Sequence, residues 1–95
     1  MVKHIVCFLL KDHSPEHRLE VKNKLMSLEG KVEQLRSIEV GIDYLASERS
    51  YDLALICTFD SPADLEAYRV HPEHVKVQAY IHSVRDGSVS VDFEY

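Results

Sequence analysis

Two long apolar runs constrain most strongly what this chain of 95 residues can fold into. Residues 3–11 are almost entirely apolar between two lysines, and residues 51–59 form a second, largely apolar run of similar length. Runs of this kind are typical of central strands that are covered on both faces. We therefore predict a sheet whose two middle strands need a cover on each side.

The segment after the first run has the pattern of a helix that packs on this sheet. Ser14 is a suitable N-cap, Pro15 suits the first helical position, and the helix is predicted to continue to about Glu29. An apolar stripe with alternating spacings of four and three residues marks the buried face. It consists of Val21, Leu25, Leu28, Val32 and Leu35.

Two further segments alternate between apolar and polar residues, as half-exposed strands do. Residues 36–44 are predicted to form a strand near an edge of the sheet, and a polar loop over residues 46–50 joins it in a hairpin to the second apolar run. Gly41 inside that strand predicts a bulge or a close backbone approach. Residues 87–95 are predicted to form the last strand, half exposed or at the other edge.

A second helical region begins after Ser61 and Pro62 and is interrupted at His71 and Pro72. Proline disfavours the helical conformation in the residue before it, so we expect a bend between two helical pieces, the second being short or irregular. Tyr68 then lies one turn before the bend and His74 in the first turn after it. Both side chains are expected to lean toward one surface.

These elements follow the order β-α-β-β-α-β, which is the ferredoxin-like arrangement of a four-stranded antiparallel sheet with helices on one face. Helices on one face leave the other face of the apolar central strands bare. A second copy of the chain covers it most simply. We therefore predict an α+β protein that pairs into a dimeric α+β barrel.

The charge and cysteine content narrow the range of partners. The net charge of -5 and the lack of a long basic run argue against nucleic acid or an anionic membrane as partner. Cys7 and Cys57 lie in apolar runs, as small buried hydrophobes do, which favours a reducing, cytoplasmic setting. We also expect no signal peptide, because the start lacks its charged and apolar regions. No stretch is long enough to cross a membrane.

Short motifs along the chain resemble those of one family. They are Val2-Lys3-His4-Ile5-Val6, Val40-Gly41, Phe59-x-Ser61, Ala67-Tyr68-x-x-His71-Pro72-x-His74-Val75 and Asp92-Phe93. Together they resemble the stress-responsive A/B barrel domain (Dabb) family, within the dimeric α+β barrel group. The resemblance covers essentially the whole chain and implies one domain over residues 1–95.

The resemblance also implies site residues. A plant polyketide cyclase built on this domain works without a cofactor, and its working residues match His4, Tyr68 and His74. By resemblance, His74 is the general base that removes a proton α to a carbonyl, Tyr68 orients it or donates to the substrate carbonyl, and His4 positions the ligand. His71 is predicted to contribute to binding.

Three functions remain open from the sequence. The first is a small dimeric protein that binds an apolar small molecule between helices and sheet. The second is a cofactor-free lyase, cyclase or isomerase, and the third is a structural, stress-associated oligomer. Because His71 and His74 offer two metal ligands where zinc normally takes three or four, we predict no metal site. The resemblance to a cofactor-free cyclase implies that no other cofactor is needed.

Overall fold

Seven secondary-structure elements follow one another in the computed structural model, which describes residues 1–95. The strands are β1 (Val2–Leu10), β2 (Ser37–Ile42), β3 (Leu53–Phe59) and β4 (Arg85–Glu94). The helices are α1 (Pro15–Met26), α2 (Pro62–Val70) and α3 (Pro72–Val84). The predicted order is confirmed, with the second helical region divided into α2 and α3. None of the helices has the length and apolar character needed to span a membrane.

The four strands form one antiparallel sheet in the order β2-β3-β1-β4. The two apolar runs, β1 and β3, are the central strands, and the two alternating segments, β2 and β4, are the edges, as predicted. This is the ferredoxin-like α+β fold.

Strand register divides the sheet into a helix face and an open face. The helix face carries Val2, His4, Val6, Phe8 and Leu10 of β1, together with Leu53, Leu55, Cys57 and Phe59 of β3. On the open face lie Ile5, Cys7 and Leu9 of β1, Ala54 and Ile56 of β3, and Val89, Val91 and Phe93 of β4. The edge strand β4 thus turns its valines away from the helices, so Val91 is 61 % exposed.

The core lies between the three helices and the helix face of the sheet. Every member of the apolar stripe predicted for the first helix belongs to the core or packs against it. The helix itself ends at Met26, before the predicted Glu29, and the chain continues through turns in which Gly30 adopts a φ of 80°. A positive φ of this size is accessible to glycine without strain, which suits Gly30 to its place in these turns.

Two predictions about the backbone are wrong. Gly41 pairs with Ala54 in regular register, and nothing lies within 4 Å of where its Cβ would be, so it forms neither a bulge nor a close approach. The irregularity occurs instead between Leu9 and Leu10, where β1 pairs with β4. The segment after the bend is also not short or irregular. It is a helix of 13 residues, because Val77 and Ile81 keep helical spacing on a buried face.

One buried carboxylate, that of Asp52, bonds to residues at the end of β1 and near the start of α1. Asp52, only 2 % exposed, accepts hydrogen bonds from the Leu10 backbone N–H at 2.7 Å and from Arg18 Nε at 3.1 Å, and His13 Nδ1 lies 2.9 Å from it. Burial alone would raise the pKa of Asp52, but these donors and the charges beside it hold that pKa below its ordinary value. The cluster fixes the start of α1 to the sheet.

Candidate functional site

The bend between α2 and α3 is built by His71 and Pro72. His71 has extended backbone angles (φ -64°, ψ 134°), as a residue before proline should, and its N–H donates to the Tyr68 carbonyl at the end of α2. Its ring Nδ1 accepts from the Glu73 N–H at 3.1 Å and so caps α3. The ring of His71 is therefore used locally, and it does not line the cavity described next.

A cavity of about 290 Å³ lies between the α2–α3 pair and the helix face of the sheet. The apolar side chains that line it come from all three helical regions and from the two central strands. They are Val6, Phe8, Leu25, Leu28, Leu55, Leu65, Val77 and Ile81. The polar side chains come from the bend, from α3 and from the two strands β1 and β4. They are His4, Tyr68, Arg69, His74, Gln78, His82, Arg85, Ser88, Ser90 and Asp92.

His74, in the first turn of α3, is held in one tautomer by a carbonyl at the end of α2. Its Nδ1 lies 3.1 Å from the Arg69 carbonyl oxygen, which can only accept, so Nδ1 carries the hydrogen and Nε2 keeps its lone pair. Burial lowers the pKa of His74 below its ordinary value, and this effect outweighs the hydrogen bond to the Arg69 carbonyl, which acts in the opposite direction. The ring is therefore neutral near pH 7, with Nε2 available as a proton acceptor.

The same local geometry occurs at the start of α1. There, too, a capping residue is followed by Pro-Glu-His, and His17 Nδ1 lies 3.0 Å from the Asp12 carbonyl oxygen. A proline-started helix of this sequence thus orients its histidine by itself. What distinguishes His74 from His17 is its position on the cavity and its contact with Tyr68, whose ring centroid lies 4.2 Å from that of His74.

Tyr68 joins the site to the core. Its ring packs on Phe59 at a centroid distance of 5.0 Å and meets His4 edge-on at 6.3 Å. The residue is 1 % exposed, and its buried hydroxyl oxygen has no hydrogen-bond partner, with the thiol of Cys57 as the neighbouring polar group. Burial raises the pKa of both groups, that of Cys57 to about 12, so both are neutral.

His4 is paired with a residue that the sequence did not single out as part of the site. Antiparallel register places Asp92 of β4 opposite His4 of β1, and a carboxylate oxygen of Asp92 contacts His4 Nδ1 in a short hydrogen bond. The side chain of His4 is 16 % exposed and that of Asp92 44 % exposed. A carboxylate on one ring nitrogen fixes the ring's orientation and directs the other nitrogen away from the pair.

The structure therefore brings His4, Tyr68 and His74 together at one end of the cavity and leaves His71 outside it. The binding role of His71 stays a prediction. His71 and His74 each use Nδ1 in a bond to the backbone, and the chain has no group of three His, Cys, Asp or Glu side chains arranged to hold a metal ion.

Comparison with known families agrees with this fold. Residues 2–95 match the model of the Stress responsive A/B Barrel Domain, or Dabb, which is nearly the whole chain. The chain belongs to the Dabb family.

Solved structures similar to this Dabb protein share its fold. A protein of unknown function from Bacteroides fragilis, described as dimeric and ferredoxin-like, is 35% identical over 99% of this chain and 95% of its own, with a TM-score of 0.83. A dimeric ferredoxin-like protein of unknown function from Thermobifida fusca is 26% identical over 99% of this chain and 90% of its own, with a TM-score of 0.86. Hydroxynitrile lyase from Passiflora edulis, at 16% identity, covers 97% of this chain and 90% of its own with a TM-score of 0.83, a likeness of fold alone. None of the curated proteins compared matches the chain in sequence.

Several cavity residues of this Dabb protein were missed by sequence reasoning, although part of the signal was present. Alternation along the last strand already placed Ser88, Ser90 and Asp92 on one side of it, opposite the valines. Alternation does not show which strand pairs with β4, or in which register. That pairing places Asp92 beside His4 and turns the polar side of β4 toward α3.

Proposed function

We propose that this Dabb protein is a homodimer in which each subunit binds a small, largely apolar molecule in the cavity between helices and sheet. The observation that carries the proposal is the convergence of His4, Tyr68 and His74 at one end of a cavity that also has an apolar wall, formed by side chains of the helices and of the two central strands. Binding sites typically combine an apolar lining with a few placed polar groups. A purely structural oligomer has no need of this arrangement, which favours a ligand site.

The open face supports the dimer. It exposes Val89, Val91 and Phe93 beside the apolar residues of the central strands, and an apolar surface of this kind is costly to leave in water. The relatives from Bacteroides fragilis and Thermobifida fusca are both described as dimeric. The two free thiols, Cys7 and Cys57, support a reducing compartment such as the cytoplasm as the place of action.

Substitution of a single open-face valine tests the dimer. Val91→Glu should convert the dimer to a folded monomer, because it places a charge in the middle of the proposed interface. Val70→Glu is the matched control, since Val70, at 71 % exposed, is a valine of similar exposure on α2. Sedimentation equilibrium measures the masses. Dimerisation of the Val91→Glu variant at wild-type strength would rule out the open face as the interface.

Proton transfer is the second candidate, and the state of His74 favours it. The ring is neutral with Nε2 unprotonated, so it can accept a proton from a carbon α to a carbonyl of the bound molecule. The C–H electron pair then moves into the carbon–carbon bond and the carbonyl pair onto oxygen, which gives an enolate. In this proposal Tyr68 orients His74 through ring contact, and His4, held by Asp92, positions the ligand.

Methyl nonyl ketone, an apolar molecule with exchangeable α protons, separates the two candidates. A binding protein should bind it without accelerating the exchange of its α protons for deuterium in D2O, whereas the proton-transfer candidate requires acceleration. His74→Gln should abolish any acceleration. His17→Gln is the matched control, because His17 has the same local geometry outside the cavity. NMR measures both the binding and the exchange, and failure of the wild type to bind apolar probes of this class would refute the cavity as a ligand site.

A further inference from the structure

The cavity has a second polar end, away from His74. Residues on one face of α3 line it at helical spacing from His74 to His82, a rise of roughly 12 Å along the helix. On β4 the polar side runs from Asp92 back to Ser88, which is roughly 13 Å along the strand. Because α3 leads directly into β4, His82 and Ser88 lie at the same end, near the junction of the two elements.

Arg85 supplies an unpaired positive charge at this end. It is half-buried, and its guanidinium donates to the Ser88 hydroxyl at 2.9 Å. Arg85 takes part in none of the chain's ion pairs, whereas Arg69, the other arginine on the cavity, is paired with Glu66 at 3.5 Å.

The charges around the cavity are opposite to those of the chain as a whole. The chain carries a net charge of -5, yet the cavity is lined by Arg69 and Arg85 against a single carboxylate, Asp92, which is already bonded to His4. A cavity with a free cation at one end, in a protein that is otherwise acidic, is complementary to an anion.

We propose that Arg85, Ser88 and His82 form a carboxylate-binding subsite, and that the ligand of this cavity is an amphipathic carboxylic acid. Its carboxylate lies on Arg85 and its chain extends over the apolar wall toward His74. An arginine recognises a carboxylate through two parallel hydrogen bonds, and the Ser88 hydroxyl adds another donor. This proposal rests on the ligand-binding function proposed above and specifies the class of ligand.

One feature at this end of the cavity opposes an anion. The C-terminus of α3 lies here, and a helix carries about half a negative charge at that end. Two of its carbonyls are already bonded, that of Ile81 by the Arg85 N–H and that of Val84 by the Lys11 N–H. The full positive charge of Arg85 outweighs the partial negative charge of the helix carbonyls that remain unbonded.

Probes with one chain length and different head groups test the subsite. Decanoate, decanol and decylammonium are titrated into the full chain by calorimetry, with amide shifts of Ser88 followed by NMR. We expect decanoate to bind about tenfold more tightly than decanol, and decylammonium to bind most weakly. Arg85→Gln should remove the preference for decanoate and leave decanol unaffected. Arg49→Gln, which removes the same charge from an exposed loop, is the control.

Each outcome decides a different question. Arg85-dependent preference for decanoate, with a Ser88 shift seen for decanoate alone, supports the subsite. Equal binding of decanoate and decanol, or an equal loss of both in Arg85→Gln, overturns the subsite but leaves the apolar cavity as a ligand site. Binding of none of the probes overturns both proposals. Arg85→Lys keeps the charge, so recovery of the preference there excludes misfolding as the cause of its loss.

Discussion

The buried hydroxyl of Tyr68 leads to a prediction that is unusual for a core tyrosine. The hydroxyl has no hydrogen-bond partner, so it has lost its bonds to water without replacing them. We therefore expect Tyr68→Phe to be more stable than the wild type. Removal of a core hydroxyl that is properly bonded has the opposite effect.

The size of the gain follows from the surroundings of the hydroxyl. Burial of a hydroxyl without a partner costs about 1–3 kcal/mol. The Cys57 thiol beside it is a weak hydrogen-bonding group and offsets part of this cost, and the lost oxygen also forfeits some packing contacts. A net stabilisation of about 1 kcal/mol remains, which corresponds to a rise in Tm of about 4–8 °C for a domain of this size.

Tyr80 provides the matched comparison. Its hydroxyl donates to Glu20 Oε1 at 3.1 Å, so Tyr80→Phe should lose about 0.5 kcal/mol rather than gain stability. Urea denaturation of the wild type and both variants measures the difference. All three are compared at one protein concentration, because the unfolding of a dimer depends on concentration.

A loss of more than about 1 kcal/mol in Tyr68→Phe would refute this reasoning, since it would mean that the hydroxyl is well bonded in solution. Ligand binding adds a second readout. The hydroxyl is buried and makes no hydrogen bond, so affinity for an apolar ligand should not change. A gain in stability accompanied by a loss of affinity would assign to Tyr68 the role of substrate hydrogen-bond donor predicted from the sequence.

Substitutions at Leu55, Asp52 and His71 test the fold and the bend. Leu55→Asp places a charge on the helix face at a site that is 3 % exposed, so the chain should fail to fold rather than merely fail to pair, as circular dichroism will show. Folding lowers the pKa of Asp52, so the contribution of Asp52 to stability is complete above the ordinary value of 3.8 and is lost as the pH falls through the folded pKa. Asp52→Asn should therefore cost about 3 kcal/mol of stability near pH 7 and make stability depend less on pH in acid. Asp86→Asn, at an exposed position, should change neither the stability nor its pH dependence, as urea denaturation at several pH values will show. His71→Ala should cost about 1 kcal/mol of stability through loss of the α3 cap, and His71→Asn should restore the cap and the stability. If both variants bind ligand more weakly in calorimetry, His71 has the binding role predicted for it.

Much of the fold was predictable from local sequence patterns. The apolar runs that became β1 and β3 identified the central strands, because near-continuous apolar runs are typical of strands in the interior of a sheet. The prediction of a bulge or close approach at Gly41 was wrong because a glycine within a strand can also pair regularly. Only the register with the partner strand shows that Gly41 does so. The length of α3 was underestimated because Pro72 marks where a helix begins but not how far it continues, and only two residues, Val77 and Ile81, mark its buried face.

The candidate site was predictable only in part. His74 and Tyr68 stand near each other in sequence, so the bend alone indicated their contact. The partners His4 and Asp92 are separated by 88 positions, and the Leu10–Asp52 bond spans 42. Pairings of this kind depend on strand register, which no local pattern contains.

The edge strand β4 contributes one face to the cavity and the other face to the proposed subunit interface. Ser88, Ser90 and Asp92 form part of the cavity wall, while Val89, Val91 and Phe93, in between, belong to the proposed subunit interface. Such a strand makes the two equilibria thermodynamically linked. If association of subunits changes the affinity for a ligand by some factor, then the ligand must change the affinity between subunits by the same factor.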